Sequence, residues 1–201
     1  MTNRLSREAY FTMAMKDLGA LGLRLTVGGL LAGHGAQKLF GAFEGPGLKG
    51  TAGMMESLGL QPGHYWGAAA ALSEFGGGVL TALGLFNPLG PIGIMSSMSM
   101  GTAKVHWGKP IWASSGGAEL ALTDLTAALA VALAGPGAYS LDEAWDIQIP
   151  AWMSVLAALT AAGAVAYGIS SAPVPPPQTQ DSAQDALGGT ENVEGGQTAG
   201  A

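Results

Sequence analysis

An all-α fold that crosses a membrane several times is predicted by three features: the composition, the lengths of the apolar segments, and the placement of the few charges. Of 201 residues, 48% are hydrophobic and only 11% charged, whereas soluble domains carry about a quarter charged residues. Five apolar segments follow one another, near 18–40, 65–86, 92–105, 118–134 and 151–170, separated by Gly- and Pro-rich turns. A bilayer is crossed by about 20 helical residues. The absence of cysteine excludes disulfides, thiolate metal sites and iron–sulfur clusters within the chain. The eight Lys and Arg form no basic patch, so nucleic acid is not an expected partner.

Residues 1–17 place Arg4, Arg7 and Lys16 beside Tyr10, Phe11, Met13 and Met15, the pattern of a short helix lying at the membrane surface. Glu8 and Asp17 interrupt the basic region, so this segment is expected to be retained and not cleaved as a signal peptide. The first span follows. Arg24, Leu31 and Lys38 are seven residues apart and stack on one helix face, with His34 on the neighbouring stripe. Gly29 and Gly33 form a GxxxG step that lets another helix approach. Pro46 and Pro62 bracket a loop in which 48–58 reads as a short interfacial helix.

The second span opens on Tyr65 and Trp66 at headgroup depth and carries Glu74, followed by three glycines. Asn87-Pro88-Leu89-Gly90-Pro91 is a tight turn, so the third helix returns antiparallel, rich in Met and Ser, and ends at Lys104, His106 and Trp107. The fourth carries Glu119 and Asp124 and stops at Gly135-Pro136-Gly137, before an acidic loop with Asp142, Glu143 and Asp146. The fifth, 151–170, has no charged residue and is long enough to span. From Pro173 on, the chain has no aromatic and no basic residue and is expected to be disordered. The positive-inside rule slightly favours a cytoplasmic N-terminus.

The order of these motifs resembles the DoxX family of bacterial membrane proteins. The resemblance rests on Arg24-Leu25 with Gly28, His34-Gly35 with Lys38-Leu39-Phe40, Glu74 before glycines, His106-Trp107-Gly108-Lys109 leading to Ser115-Gly116-Gly117-Ala118-Glu119, and the closing Gly135-Pro136-Gly137-Ala138-Tyr139-Ser140-Leu141-Asp142. It departs at 116–119, where the family often has Asn-Gly-Tyr-Glu and this chain keeps only the acid. It implies a four-helix membrane bundle in the plasma membrane, associated with quinone or with thiol and sulfur redox systems. The expected organisation is an interfacial segment (1–17), a DoxX-like four-helix domain (18–145), an additional transmembrane helix (151–171) and a disordered acidic tail (172–201). The expected role is a membrane subunit of a redox-linked system. A noncatalytic membrane scaffold anchoring a soluble enzyme, and a small transporter, are the alternatives; a soluble redox enzyme is a candidate partner.

A lone charge at the centre of a bilayer costs roughly 2.5–3.5 kcal/mol on insertion scales. Arg24 and Glu74 are therefore expected to form a buried ion pair, with Asp124 as the other candidate partner. Such a pair either fixes helix register or lines a polar cavity. In an antiparallel arrangement His34, Lys38, Lys104, His106 and Glu119 converge at one membrane face, above Glu74. There they either bind a ligand such as a quinone headgroup, walled by Phe40 and Trp107, or are interfacial residues bonded to carbonyls. No matched histidine pair lies deep on two spans, so haem is not expected, and no metal site or covalently bound cofactor is predicted. The tryptophans near span ends read as an aromatic belt in the lipid bilayer.

Overall fold

The computed structural model describes residues 2–171, with side chains from Arg7 onward. The expected disordered tail, 172–201, lies outside the described residues. Among the described residues there are helices and no strand: α1 (Thr2–Phe40), α2 (Gly47–Ser57), α3 (Gly63–Leu83), α4 (Leu89–Gly101), α5 (Glu119–Ala134), α6 (Leu141–Ala144) and α7 (Ala151–Ser170). The segment expected to lie at the membrane surface is helical, but it continues into the first apolar segment without a break. No proline interrupts residues 2–40, and the resulting 39-residue helix is about 58 Å long at 1.5 Å per residue.

α1 and α3 run antiparallel and pack most closely through glycine. A Cβ on Gly28 would lie 2.5 Å from the Ala82 amide nitrogen and 2.6 Å from the Gly78 carbonyl oxygen, and one on Gly35 would overlap the backbone of Phe75. Gly29 and Gly33, the expected GxxxG step, face open space. The close approach uses the stripe of Gly28 and Gly35 instead, because that stripe lies beside Leu31 and Val27, which are buried with Ile94 and Ala128 in the apolar core.

α4 returns beside α3, with Gly90 against Thr81 and Gly93 against Ser73. α5 packs on α4 and α1, α2 on α3 and the end of α1, and α7 on α4 alone among the larger contacts. Past Gly101, α4 changes to one π-helical turn, Thr102–His106. Thr51 ties α2 to the end of α1 by donating to the carbonyls of Gly47 (2.8 Å) and Lys38 (3.2 Å).

The distribution of side chains is inverted relative to a water-soluble globule. Arg24, Glu74, Thr51 and Thr81 are buried, whereas Leu25, Leu30, Leu120, Leu133, Val155 and Leu159 are exposed. α7 is the one helix among the described residues that is by itself long and apolar enough to cross a membrane. α4 and α5, at 13 and 16 residues, are shorter than that.

Replacing Gly28 by Ala is expected to lower the stability of the purified protein by about 1–3 kcal/mol, the usual cost of overpacking, because the new methyl meets backbone. Gly29→Ala, which meets nothing, is expected to be neutral or slightly stabilising. Thermal unfolding in detergent measures both, and equal effects contradict the proposed contact.

Candidate functional site: a cavity with one polar end

The α1–α3 register decides which charges meet. Lys38, in the last turn of α1, forms an ion pair with Oε1 of Glu74 in α3. The same oxygen accepts a hydrogen bond from Ser97 Oγ of α4 at 2.6 Å. Glu74 is 2% exposed, while the Lys38 side chain remains about a quarter exposed. A carboxylate held by a cation and a hydroxyl keeps its charge at far lower cost than a lone one, so three helices are joined at a single oxygen.

The expected Arg24–Glu74 ion pair does not form. Arg24 lies 14 residues before Lys38, about 21 Å along α1, and sits opposite the other end of α3. Its guanidinium occupies the space that Gly84, lacking a Cβ, leaves open, and donates from Nη2 to the Tyr139 carbonyl at 2.6 Å. Its Nε and Nη1 have no protein partner among the described residues. Asp124, the other candidate partner, forms no ion pair with Arg24 among the described residues and lies in the cavity wall described below. The segment after α5 closes over Arg24. Ser140 caps α6, and the buried Asp142 carboxylate accepts from the amides of Phe86 (2.7 Å) and Asn87 (2.8 Å). Asp142 thus fixes the α3–α4 turn and is not simply part of a solvated acidic loop.

Lys38 and Glu74 lie in the wall of a partly open cavity of about 970 Å³ bordered by α1, α2, α3, α4, α5 and α7. Four of the five residues expected to bind a ligand, His34, Lys38, Lys104 and His106, line it, together with Asp124 and Ser97. His34 Nδ1 is 3.2 Å from Gln37 Oε1. The π-helical turn at the end of α4 carries Lys104 and His106 to the cavity. Lys104 also donates to the carbonyl of Ser171, tying this turn to the end of α7, and His106 Nδ1 is 2.7 Å from the Gly116 carbonyl.

Glu119 is not part of the lining. Its Oε2 accepts from the Ala113 amide at 2.8 Å, and its own amide donates to Ile111, so it caps the loop that precedes its helix. The expected aromatic walls also differ. Phe40 packs edge-on against Phe75 and is 66% exposed, and Trp107 is 81% exposed. The apolar wall comes from Met54 and Met55 of α2, Leu58 just after it, Trp66 of α3 and one side of α7. Ser97 was hidden among the unremarkable serines of the third helix; its one sequence signal is a hydroxyl in an apolar helix, which has to find a partner.

The family model described as DoxX matches residues 19–107, from the body of α1 to the end of the π-helical turn. No curated protein and no solved structure matches the chain. Within the matched region lie Arg24, His34, Lys38, Glu74, Ser97, Lys104 and His106, whereas Asp124 and all of α7 lie beyond it.

Glu74→Leu is expected to destabilise the protein by roughly 1–3 kcal/mol, since it leaves Lys38 partly buried without its partner. Glu143→Leu, on an exposed side chain, is expected to change stability by less than about 0.5 kcal/mol. Equal melting of the two variants in detergent contradicts a stabilising role for the pair.

Proposed function

Because the chain belongs to the DoxX family, we propose that it is a multi-pass protein of the plasma membrane and the membrane subunit of a redox-linked system, binding a quinone at the polar end of the cavity. The observation that carries this reading is the Lys38–Glu74–Ser97 cluster facing a largely apolar cavity. Ligand sites are concave and mostly apolar, with a few convergent polar groups and volumes of about 300–1,000 Å³. This cavity has that character.

The cluster offers both kinds of partner to a ring bearing carbonyl or hydroxyl groups. Lys38 has three donor hydrogens, and Glu74 binds through Oε1 alone, so Oε2 accepts no hydrogen bond among the described residues. A carbonyl therefore finds a donor and a hydroxyl an acceptor within one site. His34, His106 and Asp124 supply further titratable groups on the same wall. The exposed leucines and the buried charges suit a bilayer around the helices. A soluble redox enzyme is the partner this role calls for.

The test uses the purified full chain in lipid nanodiscs. Trp66 and Trp152 line the cavity, so a short-tailed ubiquinone analogue should quench the tryptophan fluorescence saturably. Lys38→Met combined with Glu74→Gln, which removes the ion pair without leaving a lone charge, should weaken binding about tenfold or more. Loop substitution Glu143→Leu should not. Unsaturable quenching, or equal affinity in the paired variant, contradicts the quinone reading and favours a scaffold that anchors a soluble enzyme.

A further inference from the structure

We propose that the apolar length of the cavity, between α7 and α4, holds the long hydrocarbon tail of a membrane amphiphile with an uncharged head, and that Ala157, Ala161 and Ala164 of α7 set which tails fit. The inference rests on the quinone-site reading for its head and on independent geometry for its tail.

α7 runs parallel to α4. At one end Gly168 packs against Met100 and Leu60, and Lys104 bonds to Ser171. At the other end Trp152 and Leu89 border the same cavity. Cavity-lining residues on α7 recur from Trp152 to Val165, a span of 13 residues or about 20 Å. That exceeds the hydrocarbon thickness of one leaflet, about 15 Å. A ring at the polar end leaves most of this length empty.

The gap exists because of side-chain size. Ala157, Ala161 and Ala164 line the middle of the cavity on α7, with larger side chains at its two ends, Trp152, Met153 and Leu156 at one and Val165 at the other, while Val155 and Leu159 are exposed outside the lining. Interiors are normally packed without voids of this size, and the three alanines, spread over two turns of α7, leave a groove between the larger residues that flank them. Trp152 and Leu156 border the cavity yet are 67% and 57% exposed, so the apolar end opens sideways, toward the bilayer in the proposed arrangement.

The polarity of the cavity runs along its axis. Lys38, Glu74, Lys104, His106 and Asp124 all belong to the half near the end of α1, whereas Leu89, Trp152 and Met153 close the other half. This suits one head and one tail. The charged lining residues are two cations, Lys38 and Lys104, and two anions, Glu74 and Asp124. Lys38 is paired and Lys104 bonded to a carbonyl. A balanced wall favours an uncharged, hydrogen-bonding head over the carboxylate of a fatty acid.

The experiment compares two probes in nanodiscs, a ubiquinone with a single isoprene unit and one with a long isoprenoid tail, with concentrations expressed as mole fraction of lipid so that partition into the bilayer cancels. Ala161→Phe should weaken the long-tailed probe about tenfold or more, and leave the short-tailed one within about twofold. Leu159→Phe, on the exposed side of α7, should change neither. Ala157→Phe serves if the first variant fails to fold. If the wild type binds the short-tailed probe but Ala161→Phe and Ala157→Phe affect both probes alike, or neither, the tail groove is wrong and the head site stands. If the short-tailed probe does not bind the wild type, the head site is wrong and this inference falls with it. Palmitate displacing the long-tailed probe as well as unlabelled ubiquinone does overturns the uncharged-head assignment.

Discussion

The contact between α1 and α3 is the constraint on which the other features depend. Gly28 and Gly78 bring two backbones so close that no larger residue fits between them. Such a contact has one register, since a shift by a single turn drives a side chain into the opposing backbone. In that register Lys38 stands opposite Glu74 and Arg24 opposite Gly84. One cation thereby meets a carboxylate in the middle of the protein, and the other meets a glycine and the closing segment at its edge. The polar cluster and the Arg24–Tyr139 tie both follow from this register.

Placing charge inside and leucine outside reverses the usual economy of a fold. In hydrocarbon, apolar surface gains nothing by hiding from the surroundings, so helices associate through close packing and polar bonds. The closest packing lies at α1–α3, and the polar bonds join α1, α3 and α4 at the Glu74 carboxylate. α7 lacks both devices over most of its length. Close contacts of α7 cluster near Gly168, which meets Met100, with Tyr167 stacked on Trp66 and Lys104 bonded to Ser171, and the cavity lies beside α4 along the rest of the helix.

Several parts of this architecture are legible in the residues alone. Helix ends follow Gly and Pro, as at Pro62, Gly84, Pro88 and Pro150. The seven-residue spacing of Arg24, Leu31 and Lys38 marks the inward face of α1, and all three do lie there, with Arg24 and Leu31 fully buried. Convergence of His34, Lys38, Lys104 and His106 follows from antiparallel order. What periodicity does not contain is the offset between neighbouring helices. Arg24 and Lys38 share a face, so either is a plausible partner for Glu74 until the register is known. Gly28 and Gly29 are equally small, and only the position of Leu31 in the core selects the first. Glu119 and Asp142 are acids beside turns, where a carboxylate that caps backbone amides and one that faces solvent have the same sequence signature. The alanines of α7 reveal a groove only once α4 lies beside them.

The register of α1 on α3 is tested most directly by double-mutant cycles on stability, using Lys38→Met and Glu74→Leu in one cycle and Arg24→Met and Glu74→Leu in the other. Residues in contact couple by about 0.5–3 kcal/mol, and distant ones add within about 0.3–0.5 kcal/mol. A Lys38–Glu74 coupling in the first range with an additive Arg24–Glu74 cycle is the predicted result. A strong Arg24–Glu74 coupling beside an additive Lys38–Glu74 cycle would contradict the register, and with it the polar cluster on which the cavity depends.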